Sequence, residues 1–454
     1  MSRNPWRSRW PKTSTADAAS ATSLSERMAR GLPERACEAL ARRTGFQRRK
    51  PRKISPFLLL RSLGALAFCA RRSLETLALA IGALGGEPVS KQAVAKRLGA
   101  ACVAFLREAL FAAIASTAKF GRLRDGGVFR TFGRVLIQDS TSLSLSPRLA
   151  AAFPGSRNQS GKTQAGAKIQ AIYDLLAEGF VRFAVTAFTR NDQAASKDML
   201  RVARKGDLVL RDLGYFVLKD FAELHRRGVF YLSRLRGATV LLDARGRPFD
   251  LLRALRREGR LDVALRLGKA AKLSVRLVAA PLPVAVANER RRKARLNRDK
   301  RCRPDKARLA LLGWEIFVTN VPATVWSSEE VCCVYGLRWR IEIIFKAWKS
   351  NLRFADLPAG SAHQVQAWLY ARLLCVTVLQ TFYGQLEQRL ERRHGRALSL
   401  LRLTALLGES PDLIAPLTRT DEGLVLLERL LAKHCCYEKR RDRLNYAEVI
   451  RCLG

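Results

Sequence analysis

Residues 335–350 read "YGLRWRIEIIFKAWKS" and hold one acidic side chain, Glu342, among four basic ones, Arg338, Arg340, Lys346 and Lys349. Two readings are open from these residues alone. Glu342 is an ordinary helical ion-pair partner of Lys346 at i, i+4, a contact worth about 0.3–0.5 kcal/mol. Or the cations hold a polyanion against a carboxylate that does chemistry. On a helical wheel at about 100° per residue, Tyr335, Arg338, Glu342, Lys346 and Lys349 fall within an arc of about 80°. Leu337, Ile341, Ile344 and Trp348 form an apolar face roughly 120° away. The pattern predicts one long helix from about Ser327 that docks its apolar stripe on a sheet and presents the other.

Composition favours a polyanionic partner. The 454 residues carry a net charge of +43, which points to DNA, RNA or an acidic membrane surface without choosing among them. At 48% hydrophobic and 27% charged the chain is globular rather than disordered, and it is long enough for two or three domains. Two apolar stretches, "ISPFLLLRSLGALAFCA" and "AWLYARLLCVTVLQTFY", are interrupted by Arg61 and Arg372, so neither is expected to span a membrane. The N-terminus "MSRNPWRSRW" has no apolar run of the secretory kind, although an organellar transit peptide stays open. Ten cysteines without a C-x-x-C pair and only four histidines argue against structural zinc and for reduced thiols in a cytosolic compartment.

Along the chain the texture changes several times. Residues 1–30 read as a polar arm, followed by the basic run "RRTGFQRRKPRK" at 42–53. Residues 54–120 read as helices, with "SLETLALAIG" and "SKQAVAKRLG" joined by "ALGGEPV" and Ser90 as the N-cap of the second. This is either a helix-turn-helix offering Lys91, Gln92 and Lys96 to a DNA groove, or two amphipathic helices about a Gly-Gly turn. From 133 strands alternate with helices: "RVLIQDSTSLSL", a hairpin turning near Glu178-Gly179, a helix over "DQAASKDMLRVARKG", "DLVLRDLGYFVL", "LKDFAELHRRG" and "VFYLSRL". That alternation indicates an α/β core. Residues 236–310 interrupt it with shorter strands and a dense run, "NERRRKARLNRDKRCRPDKAR", of eleven Lys/Arg against three acids. The rhythm resumes at "LGWEIFVTNVP", and 364–454 read as all-helical.

Two further acids stand out beside Glu342. Asp139 ends the strand "VLIQD" and Asp212 ends "LVLRD". Carboxylates at strand ends of an α/β sheet sit where sites are built, but each is equally an Asp that starts a turn or caps a helix.

The spacing Y-x2-R-x3-E-x6-K, here Tyr335, Arg338, Glu342 and Lys349, resembles the hallmark of DDE transposases of bacterial insertion sequences, in the group called the insertion sequence four family. "QDSTSLSL" resembles that family's first-Asp segment, "RDLGYF" its second, and "GWEIFVTNVP" the strand leading to its Glu helix. The likeness covers residues 133–355. It implies an RNase H-like catalytic core over 130–235 and 310–360, interrupted by a mostly β, basic insertion over 236–309. Helical regions flank it: 1–125 binding DNA ends and 361–454 serving dimerisation. It further implies that Asp139, Asp212 and Glu342 hold two Mg²⁺ ions, with Mn²⁺ as substitute, a donor set of hard oxygens that suits them. Arg338, Lys346 and Lys349 then grip the strand being cut. Tyr335 and Arg338 lie near a base flipped from the terminal duplex, and Trp314 stacks on that base, unless Trp314 is simply a core residue. The partners implied are double-stranded DNA (terminal inverted repeats and target) and a second copy of the chain in the DNA complex. The setting implied is a bacterial cytoplasm, at the nucleoid. Competing readings are an RNase H-like nuclease without strand transfer and a catalytically inactive DNA-binding derivative.

Overall fold

The computed structural model describes residues 32–453 apart from 52, 70–72, 86, 119–126, 158–162, 271, 297–303, 410–416, 418–419 and 439–445. The expected arm at 1–30, the boundary near 125 and the middle of the basic run fall outside the described residues. The strands, in chain order, are β1 (Val135–Leu145), β2 (Pro154–Arg157), β3 (Thr163–Asp174), β4 (Gly179–Ala187), β5 (Leu208–Arg211), β6 (Phe230–Arg234), β7 (Leu241–Leu242), β8 (Leu261–Leu267), β9 (Leu273–Pro281) and β10 (Trp314–Thr319). The chain divides into two compact units. A sheet unit is drawn from Asp125–Ser140, Arg190–Trp339 and Val449–Gly454, and a helical unit from Met1–Arg124, Thr141–Thr189 and Arg340–Glu448.

In the sheet unit, the start of β1 pairs in parallel with β5, and β5 in parallel with β6. The runs Val135–Ile137 and Leu208–Leu210 are fully buried, as expected of parallel strands covered on both faces. Parallel neighbours need a crossover, and the Leu218–Arg226 helix supplies it between β5 and β6. That helix gives way at Gly228, whose φ of +68° is the left-handed conformation glycine tolerates. β10, β9, β8 and β7 then continue antiparallel in that order from β6. This mixed sheet with flanking helices is the α/β class the sequence predicts.

The helical unit contains the β3–β4 hairpin, paired from Ala167–Ala187 to Asp174–Gly179, with Glu178 at φ +48° in the turn where the sequence places it. Trp348 packs against Phe180 and Phe183 of β4, at 5.2 and 6.1 Å between ring centroids. The expected apolar face of the signature helix is buried throughout: Leu337, Ile341, Ile344 and Trp348. Ser90 caps the Lys91–Arg97 helix by accepting from the Ala93 amide at 3.2 Å. Among the described residues two helices, Ala100–Thr117 and Ala362–His394, are long and apolar enough to cross a bilayer by length and composition. The second contains the stretch interrupted by Arg372, and 78% of its apolar window is buried inside the fold.

Several expectations are corrected. β1 does not end at Asp139 but runs to Leu145, because "STSLSL" alternates with period two, burying Thr141 and Leu143 and turning Ser144 outward. The helix expected over "DQAASKDMLRVARKG" is one α turn, Asp192–Ala195, followed by a 3-10 segment, Ser196–Arg201. Gln138 and Arg211 donate across to the carbonyls of Ala195 and Ser196, at the junction of the two. The long helix from Ser327 is two helices, Ser328–Gly336 and Trp339–Ser350, broken at Leu337-Arg338. Gly336 is a poor helix former at that point, so Tyr335 and Glu342 lie on different helices rather than along one stripe. Segment 236–309 also contains the helices Leu251–Glu258 and Val284–Arg295, and β9 pairs directly with β10.

Candidate active site

In the parallel register of β1 and β5, Gln138 lies opposite Arg211, so the residue that follows each of them is a carboxylate, Asp139 within β1 and Asp212 just past the end of β5. Neighbouring strands run about 4.8 Å apart, and alternation aims both side chains to one face. Each is also held locally. Asp139 Oδ1 accepts from the Ser140 amide at 2.7 Å, and Asp212 caps the 3-10 turn Leu213–Tyr215 through the Gly214 amide at 3.4 Å.

The preceding residues, Gln138 and Arg211, face the other way and grip one segment. Gln138 Nε2 donates to Ala195 O at 2.9 Å, and Arg211 Nη2 donates to Ser196 O at 2.9 Å. Ser140, back on the same face as Gln138, donates its hydroxyl to Asp192 Oδ1 at 2.9 Å. Tyr215 is packed beside them, and burial, then the charges of Asp192 and Asp139, push its phenol well above the usual range against a Ser140 hydrogen bond. Full burial pulls the Arg211 guanidinium down to about 10, with Asp220 and Tyr215 opposing the shift. Asp192 escapes notice in the sequence, because nothing in "NDQAA" separates it from an ordinary first-turn acid.

Arg338 is 5% exposed, and its guanidinium lies 4.0 Å from Asp139 and 3.7 Å from Asp212. Its partners are partly open, 20% and 40% exposed. Beside it Trp339 is 52% exposed, with Arg338 Cζ 5.0 Å from the ring centroid. Tyr335 is buried against Phe317, at 4.9 Å, and burial first of all raises its phenol pKa. Trp314 is half-buried at the start of β10, its indole N–H donating to Gly259 O at 3.1 Å. Glu342, half-buried, and the exposed Lys346 and Lys349 belong to the helical unit. The structure therefore brings Asp139, Asp212 and Arg338 together within one unit.

Of the expected groove residues, Lys91 is paired with Glu75 at 2.8 Å, whereas Gln92 and Lys96 are exposed. In the basic run Arg290 reaches Glu315 at 2.9 Å and Arg292 reaches Glu289 at 2.8 Å. Those cations already have acidic neighbours.

No group of three or more His, Cys, Asp or Glu side chains has metal-holding geometry among the described residues. The donor set of the Asp139–Asp212 pair nevertheless fits a hard divalent cation. Both donors are carboxylate oxygens, and they already share one positive group, the Arg338 guanidinium.

The family described as the transposase DDE domain matches residues 130–378. The chain is 30% identical over 399 residues to the transposase for insertion sequence element IS231C of Bacillus thuringiensis subsp. berliner, covering 83% of each. It is 28% identical over 419 residues to that for IS231B of the same subspecies, covering 86% of each. The transposase for IS1151 of Clostridium perfringens is 25% identical over 333 residues, 68% of this chain and 69% of its own. A mixed sheet with flanking helices fits the RNase H-like domain of such proteins. With more than half its length inside the family and relatives matched over most of theirs, the chain belongs to the DDE transposases of bacterial insertion sequences.

Proposed function

We propose that the protein moves its element by cut-and-paste transposition, cleaving DNA at the terminal inverted repeats and joining the 3′-OH ends to a target. The observation that carries this reading is the pair Asp139 and Asp212, each following a residue of the registered pair Gln138 and Arg211, with one guanidinium facing both. Asp139, Asp212 and Glu342 hold divalent ions, Mg²⁺ with Mn²⁺ as substitute. When bound, such ions lower the pKa of the attacking water or 3′-OH and stabilise the leaving oxygen. The chain's own residues set the stage. The Ser140 and Gly214 amides orient the two carboxylates, and Gln138 and Arg211 fix both strands to one segment. Arg338 faces both carboxylates, and with a cation held there it would be available to a phosphate together with Lys346 and Lys349. Trp339, the more exposed ring, shares with Trp314 the candidacy for stacking on an unpaired base.

In this reading 130–235 and 310–360 form the catalytic core, and 236–309 is an insertion between the second and third acids. Residues 1–125 bind element ends through Lys91, Gln92 and Lys96, and 361–454 serve a homodimer on DNA at the bacterial nucleoid. The test is cleavage of a labelled element end by Asp139→Ala, Asp212→Ala and Glu342→Ala, with DNA binding measured separately. Cleavage should vanish in each while binding persists. Cleavage by the native chain without joining would favour a nuclease, and binding with no cleavage at all an inactive derivative. If about eight phosphates are neutralised, log K should fall against log salt with a slope of about −7.

A further inference from the structure

Two residues before Glu342 the signature helix carries Arg340, which is 0% exposed. Its guanidinium donates to Glu178 Oε2 at 2.8 Å, and Glu178 is 1% exposed. The same carboxylate oxygen accepts from the Tyr173 hydroxyl and from Gln380 Nε2 at 3.2 Å, while Gln380 also donates to the Tyr173 oxygen at 3.1 Å. From another side Arg340 Cζ lies 4.9 Å from the centroid of the Tyr383 ring. Three elements meet at this buried polar node: the β3–β4 hairpin, the Trp339–Ser350 helix and the Ala362–His394 helix. Glu178 sits there at φ +48°, a strained conformation for a residue with a side chain.

Stability alone does not account for such a node. Replacing a buried ion pair with apolar residues of similar volume is often neutral or stabilising. What the node adds is direction. The apolar face of the helix (Ile341, Ile344, Trp348) supplies burial, a driving force that is itself non-directional. Charge-assisted hydrogen bonds to a fixed carboxylate allow one setting. Arg340 and Glu342 point about 200° apart around the helix, so fixing the first fixes where the second is aimed.

We propose that Glu178 and Arg340 are positioning residues that set the rotation of the Trp339–Ser350 helix about its axis and thereby aim the Glu342 carboxylate; this rests on the reading of Glu342 as the third carboxylate. The pair does not touch DNA or metal. It acts through Glu342, as a shell that holds a ligand in productive geometry.

The test uses the full chain and the double variant Glu178→Met/Arg340→Met, which removes both charges at once, alongside Glu178→Gln and Glu342→Gln. Melting temperature, DNA affinity, amide hydrogen exchange over 341–346 and Mn²⁺ binding to the protein–DNA complex by electron paramagnetic resonance are measured on each. The double variant should melt within about 4 °C of the native protein. It should bind DNA unchanged, exchange those amides about tenfold faster and bind Mn²⁺ about tenfold more weakly. Excess Mn²⁺ should then restore its cleavage. A folded double variant with native exchange and native Mn²⁺ affinity overturns the proposal, because a merely structural pair would behave that way. If the double variant does not fold, Glu178→Gln is put through the same measurements, and native exchange with native Mn²⁺ affinity in that variant overturns the proposal equally. Glu342→Gln separates the two failures. If it leaves Mn²⁺ binding and cleavage native, the assignment of Glu342 falls. If it removes both while the pair's variants match the native protein, the positioning proposal alone falls.

Discussion

Arg338 and Arg340 stand two positions apart and meet their carboxylates in opposite ways. Arg338 faces two partly open aspartates at 3.7 and 4.0 Å, beyond hydrogen-bond length. Arg340 meets one sealed glutamate at 2.8 Å, with further donors on the same oxygen. The first arrangement is loose enough to be displaced by a metal ion or a phosphate. The second has nowhere to go. Under the proposed function one motif thus carries an arginine that changes partners and another that stays fixed, and the difference lies in the solvent access of their carboxylates rather than in residue type.

The largest expected effect falls on the open side. Asp139→Asn or Asp212→Asn keeps shape but removes charge, and end cleavage should drop at least about a thousandfold, roughly 4 kcal/mol of barrier. Near-native cleavage would break the contrast at its root. On the sealed side, Glu178→Ala removes the carboxylate to which the buried Arg340 donates and should cost about 3–5 kcal/mol in denaturant unfolding. Asp212→Ala, on an exposed partner, should cost under about 1 kcal/mol. Equal costs would mean that the two arginines are not different in kind.

Arg338→Gln sharpens the comparison further. It removes a competing positive charge, and two unit charges 4 Å apart near a surface interact by up to roughly 4 kcal/mol. Calorimetry should show divalent-ion binding tightened about tenfold even as strand processing fails, whereas unchanged affinity would show that the guanidinium does not hold the metal position. Next come the two rings. Base stacking is worth about 1–3 kcal/mol, so loss of the stacking residue should slow second-strand processing roughly 5–150-fold, with first-strand nicking less affected. Trp339→Ala should show this more than Trp314→Ala, and the reverse order would return the role to Trp314. The smallest effect is expected at the fully open pair Lys91–Glu75. Glu75→Gln should leave the melting temperature unmoved, and Lys91→Ala should make the salt slope shallower by about one. A marked loss of stability would mean that exposure does not grade these pairs.

Much of this was legible in the residues themselves. Asp139 and Asp212 follow short apolar runs that could only be buried strands, and the β3–β4 hairpin announces itself by alternation around Glu178-Gly179. The buried face of Leu337, Ile341, Ile344 and Trp348 follows from helical spacing. The partner of Arg340 did not show, because it lies 162 residues earlier in a turn and no periodicity links them. The break at Leu337-Arg338 was hidden because each half satisfies the same wheel. Wheel geometry also ranked Arg338 with the exposed lysines, although neighbouring carboxylates and rings cover it. Asp192 stayed unseen because only the tertiary fold brings it to Ser140.

Arg372 has a consequence for synthesis. Its guanidinium donates to the carbonyls of Phe354 and Asp356 at 2.6 Å and to that of Ala67 at 3.1 Å, the last of them 305 residues upstream. At a translation rate of about 5–20 residues per second, the segment around Ala67 waits roughly 15–60 s before that donor is made. Until then the Ala67 carbonyl waits for the Arg372 donor. A message interrupted before codon 372 yields a fragment that lacks this donor, and proteases act on locally open states. Such a truncated fragment is expected to be cleared by proteolysis faster than the full chain.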